Sequence, residues 1–131
     1  MTGAAALRQR IEGYGSLPTE ALGQEARDTF DEFLSALERG EIRAAEPGPD
    51  GWRVNGWVKQ GILLGFRMGR VVETESAGPL RFLDKDTLPP RRFAPGDEVR
   101  VVPGGTAVRA GACDASRGAG RRAAPARQPV P

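Results

Sequence analysis

The C-terminal nineteen residues set the strongest limit on what this chain can fold into. Prolines aside, Cys113 and Val130 are the only apolar side chains larger than alanine between positions 113 and 131. A stretch of Ala, Arg, Pro and Gly cannot bury enough apolar surface to offset the entropy of ordering it. The sequence therefore predicts a disordered tail over 113–131 and confines any core to residues 1–112. The same tail sets the charge. The whole chain of 131 residues is formally +2, with 17 of its 19 basic residues arginine. Four of those arginines and a single aspartate lie in the tail, so residues 1–112 are net −1. The basic balance does not come from the segment that can fold.

Composition excludes several chemistries. The sequence has no histidine, so it holds no histidine-based metal site or Ser-His or Cys-His catalysis. Cys113 alone cannot form an internal disulfide, and no secretory signal is read at the start. The most apolar stretch, Trp57 to Met68, is interrupted by Lys59, Gln60 and Arg67. It falls short of the roughly 20 apolar residues that span a bilayer. These features predict a cytoplasmic protein with no membrane segment.

Periodicity predicts three helices. The first follows Thr2, with Leu7, Ile11 and Tyr14 on one face. The second restarts near Pro18 or Thr19 and carries Leu22, Ala26, Phe30, Phe33, Leu34 and Leu37 as an apolar stripe. Arg39-Gly40 ends it. Two short runs around Pro47–Gly51 read as a hairpin. Asn55 is positioned to cap a third helix over 56–68, apolar on most sides, where Gly61 and Gly65 leave a flat strip for another backbone. Further on, Arg70–Glu73 and Glu98–Val102 read as strands, with turns or loops over 76–79 and 88–92. Val102 and Val108 then recur six residues apart among small residues, the spacing of hexapeptide β-helix coils.

The run Glu41–Glu46, then Gly51-Trp52-Arg53-Val54-Asn55, then Trp57–Arg67 resembles the N-terminal domain of bacterial tetrahydrodipicolinate N-succinyltransferase. Phe82-Leu83-Asp84-Lys85 and Val99–Ala112 resemble the same family, in the same order. The resemblance implies an α+β fold: a helix-rich N-terminal domain with a short hairpin over 1–97, and the first coil of a left-handed parallel β-helix over 98–112. It implies transfer of succinyl from succinyl-CoA to the amine of ring-opened tetrahydrodipicolinate, in lysine and diaminopimelate biosynthesis, by a cytoplasmic homotrimer. Succinyl-CoA is a co-substrate, and no cofactor or metal is implied. The family's substrate-binding arginine matches Arg100. Arginine suits a dicarboxylate because its planar fork donates two parallel hydrogen bonds to one carboxylate.

The hexapeptide rhythm stops at Cys113, and none of the 17 carboxylates takes a catalytic role by motif. The sequence reading is that of a truncated or frameshifted succinyltransferase product, inactive alone. Two other readings stand beside it. One is a non-catalytic oligomerisation module with an interface near Trp52, Trp57 and Phe66. The other is nucleic-acid binding through Arg117, Arg121, Arg122 and Arg127, weakened by the absence of any aromatic residue to stack on bases. Asp84 and Asp86 read as loop charges, and Cys113 as an isolated surface thiol.

Overall fold

A computed structural model describes residues 3–74, 81–102 and 107–112. The expected tail over 113–131, with Cys113 and its four arginines, and the expected turn over 76–79 lie outside the described residues. No helix among those described is long and apolar enough to cross a membrane.

Among the described residues the fold is α+β, with three α-helices around one core and two antiparallel hairpins. Helix α1, Gly3–Gly15, buries Leu7 and Ile11 and half-buries Tyr14, as its spacing predicts. The second helix starts later than predicted. A single 3-10 turn occupies Thr19–Ala21, and α2 runs over Gln24–Glu38 with Gly23 as its N-cap. Leu22 and Gly23 are extended, so the helix begins only beyond the glycine. There Gln24 Nε2 donates to Asp28 Oδ1 at 2.9 Å, one turn along. The apolar stripe is buried at Ala26, Phe30, Phe33, Leu34 and Leu37, while Leu22 packs beside the core from outside the helix. At its C-terminus Gly40 takes φ 72°, and the Gly40 and Glu41 N–H groups donate to the Leu37 and Ala36 carbonyls, both at 3.0 Å. This is a Schellman end, which needs a left-handed residue and favours glycine there.

Helix α3, Gly56–Met68, has the predicted limits. Its glycine strip meets aromatic rings rather than a backbone. A Cβ on Gly61 would lie 2.5 Å from Phe33 Cζ, and one on Gly65 would lie 2.2 Å from Phe30 Cζ. The two rings of α2 fill the space that the missing side chains leave. Phe33 also meets Trp57 edge-on, with ring centroids 6.0 Å apart. Only one side of α3 is buried, through Val58, Gly61, Leu64 and Gly65, and Leu63 faces outward. Asn55 occupies the N-cap position without side-chain capping. Its Nδ2 instead donates to the Arg43 carbonyl at 2.8 Å and to Glu46 Oε1 at 3.3 Å, tying the helix start to the hairpin before it.

That hairpin joins β1, Ala45–Gly48, to β2, Gly51–Val54, through a two-residue loop at Pro49-Asp50. The turn is tighter than predicted, with Gly51 at φ 109°. Glu46 and Arg53 face each other across the strands and form an ion pair. The second hairpin pairs β3, Val71–Thr74, with β4, Phe82–Lys85. The first strand is the predicted one. The second is not evident from the sequence pattern, and it places Asp84 in a strand rather than a loop.

Asp86 fastens this hairpin to the helices. Its Oδ1 accepts the Arg70 N–H at 2.8 Å, and Arg27 approaches it at 3.4 Å while donating to the Met68 carbonyl at 3.0 Å. The Arg70 N–H, assisted by the Arg27 guanidinium, holds the Asp86 carboxyl below its ordinary pKa despite some desolvation. A depressed folded-state pKa means that the contribution is present above the unfolded value, near 4, and is lost as pH falls through the folded one. Melting by circular dichroism from about pH 6 to about pH 3 is expected to show a smaller fall in Tm for Asp86→Asn than for the parent. Equal falls would remove Asp86 as an acid-labile tie.

Residues 98–102 form no strand. Glu98 sits at φ 57°, and Val101 and Val102 are exposed. Alternation marks the faces of a strand but provides no neighbour for its backbone, and no neighbour pairs with this stretch among the described residues.

Candidate functional site

An apolar groove lies between the C-terminal half of α2, α3 and residues 109–112, with a volume of about 460 Å³. Leu34, Leu37, Val58, Ile62, Phe66 and Leu88 give it apolar walls. Among the described residues the charged side chains that line it are Arg43 and Arg109. No carboxylate of the described residues lines the groove itself, and Glu38 and Asp84 are engaged at its edge by Gly111 and Arg109.

Residues 107–112 return to the helical core and form one wall of the groove. The Arg91 N–H donates to the Val108 carbonyl at 2.6 Å, and the Ala110 N–H donates to the Pro89 carbonyl at 2.7 Å, bracketing an antiparallel bridge between Pro90 and Arg109. The Gly111 N–H donates to Glu38 Oε1 at 2.9 Å. Arg109 pairs with Asp84 at 2.6 Å, and its guanidinium carbon lies 5.4 Å from the centroid of the Phe66 ring. Arg91 Nη1 donates to the Ala112 carbonyl at 2.5 Å.

Arg100, the expected substrate arginine, is exposed in the irregular stretch after Glu98, and it does not line the groove. The three expected interface aromatics separate. Trp52 is 75% exposed on β2, whereas Trp57 is half-buried against Phe33 and Phe66 lies under Arg109. The sequence reading missed the Arg109–Asp84 pair. Opposite charges 25 residues apart carry no local signal, and only the register of β4 and the return of residues 107–112 bring them together. Among the described residues no group of three or more potential ligands is placed to hold a metal ion.

Residues 7–68 match the family described as tetrahydrodipicolinate N-succinyltransferase N-terminal. Three relatives, each named 2,3,4,5-tetrahydropyridine-2,6-dicarboxylate N-succinyltransferase, are similar over longer stretches. The Granulibacter bethesdensis protein is 39% identical over 107 residues, covering 81% of this chain and 36% of the relative. The Gluconobacter oxydans protein is 42% identical over 89 residues, covering 61% and 31%. The Xylella fastidiosa protein is 34% identical over 113 residues, covering 80% and 39%. The chain thus spans between 31% and 39% of the length of these relatives.

Proposed function

Residues 7–68 belong to the tetrahydrodipicolinate N-succinyltransferase N-terminal family, and from that premise we propose that the chain serves as the N-terminal part of such an enzyme. The reaction moves a succinyl group from succinyl-CoA to the amine of ring-opened tetrahydrodipicolinate. A C–N bond forms, the thioester C–S bond breaks, the amine proton passes to a base, and CoA leaves as the thiol. The carrying observation is the 39% identity over 107 residues to a relative of that name, which extends beyond the family segment into residues after 68.

In this reading the helices and hairpins are a scaffold. They carry the segment around Arg100 toward a β-helix in a trimeric assembly, and Arg100 grips a carboxylate of the acceptor.

The test is a chimera in which residues 7–112 replace the matched stretch of the Granulibacter relative. The soluble chimera is expected to release CoA from succinyl-CoA only when tetrahydrodipicolinate is present. The 131-residue chain alone is expected to release none. A folded chimera without acceptor-dependent CoA release overturns the assignment.

A further inference from the structure

Residues 107–112 cover apolar side chains while burying little of their own. Their side chains are small apart from Val108 and Arg109, and Gly111 lies directly on Leu34. The segment is held at its edges. Among the described residues, two backbone hydrogen bonds join it to residues 89–91, Glu38 accepts one N–H, and Arg91 and Arg109 make further polar contacts. The Arg109 and Asp84 side chains are 44% and 42% exposed, and an ion pair so open to water contributes little. The helical core beneath is different in kind, because it closes over fully buried Phe30, Phe33 and Val58. Segments with few buried contacts open at a fraction of the global unfolding free energy.

We propose that residues 107–112 form a detachable strap, and that its release opens the apolar groove between α2 and α3 while the helical core stays folded. In the closed state the strap occupies the edge of the groove, with Gly111 seated against Leu34 and Arg109 against Phe66 and Asp84. In the open state Leu34, Leu37, Ile62 and Leu88 face solvent.

Gly111 is the position at which to test this. It takes φ 90°, and a Cβ there would lie 2.6 Å from Leu34 Cδ2. Gly111→Ala therefore opposes the closed state through both backbone and packing. The control is Gly96→Ala, where a Cβ meets nothing within 4 Å.

Amide hydrogen exchange at Ala110 and Gly111 in the 131-residue chain is the first readout. The second is the fluorescence of 1-anilinonaphthalene-8-sulfonate, which reports exposed apolar surface. In the parent, these two amides are expected to exchange more slowly than an unstructured chain but faster than the amides of α2. Gly111→Ala is expected to speed exchange at Ala110 by roughly tenfold or more and to raise dye emission. The α2 amides should keep their rates, and Gly96→Ala should match the parent. Three results would overturn the strap: unprotected Ala110 and Gly111 in the parent, protection equal to that of α2, or a Gly111→Ala variant that moves neither readout.

Discussion

Phe33→Ala is expected to lower the unfolding free energy by about 3–5 kcal/mol, the usual cost of removing a buried phenylalanine ring. A small domain has only about 5–15 kcal/mol of stability in total, so this loss brings the chain close to its unfolding threshold. The reason lies in what surrounds the ring. Phe33 is fully buried, with Phe30 at 5.9 Å and Trp57 at 6.0 Å between centroids, and its far end rests on Gly61. Gly61 has no side chain to swing into the vacated space, and the surrounding helix backbone cannot collapse one atom at a time. A cavity remains, and cavity volume adds to the lost transfer energy.

Urea titration followed by far-UV circular dichroism measures the shift, and a loss below about 1 kcal/mol would contradict this account of the core. A second substitution sharpens the test. Gly61→Ala alone places a Cβ 2.5 Å from Phe33 Cζ, and overpacking of that kind costs about 1–3 kcal/mol. With Phe33 already reduced to alanine the clash is gone, and the helix propensity of alanine over glycine favours the change by up to about 1 kcal/mol. The sign of Gly61→Ala should therefore reverse between the two backgrounds.

This contact also marks where sequence reading stops. The spacing of Gly61 and Gly65 announces a side-chain-free strip on α3, and the spacing of Phe30 and Phe33 places two rings on α2. Neither pattern says that one fills the other, because their meeting depends on how two helices cross. Local signals fared better. Arg39-Gly40 marks the end of α2 because a Schellman turn needs a left-handed residue at one fixed position. The Pro/Gly/Asp run over 47–51 marks a hairpin because these residues favour turns, although the loop itself closes at Pro49-Asp50. The start of α2 differs from the sequence expectation because Pro18 and Thr19 suit a helical first turn, and Pro18 does cap one over Thr19–Ala21, but Gly23 separates it from the helix proper. Asn55 shows the same competition: its side chain can cap a helix, yet the Arg43 carbonyl and the Glu46 carboxylate attract the amide away. Glu98–Val102 alternates like a strand and lacks a neighbour to pair with. The expectation for Arg100 comes only from the family resemblance, since an arginine alternating with valines is by itself an ordinary outward-facing residue. The groove and the Arg109–Asp84 pair depend on the return of residues 107–112 to α2, which no spacing within that segment encodes.

Arg100→Ala carries the largest expected functional effect. In the Granulibacter chimera it is expected to raise KM for tetrahydrodipicolinate by roughly 10- to 150-fold, the equivalent of losing a charge-assisted contact worth about 1.5–3 kcal/mol. The KM for succinyl-CoA should stay unchanged, because the arginine is assigned to the acceptor carboxylate alone. Carboxylate binding is uniform between ground and transition states, so kcat should change far less than kcat/KM for the acceptor. Arg100→Lys should recover only part of the loss, since a lysine ammonium keeps the charge but not the planar fork that holds both carboxylate oxygens. Folding is a separate matter and can be checked in the 131-residue chain. Arg100 is exposed in an irregular stretch, and a surface substitution of this kind usually shifts stability by less than about 0.5 kcal/mol. A rise in acceptor KM with unchanged stability thus reports on recognition and not on loss of structure. An unchanged acceptor KM, or equal rises for both substrates, would take Arg100 out of the acceptor site and leave the scaffold role standing without it.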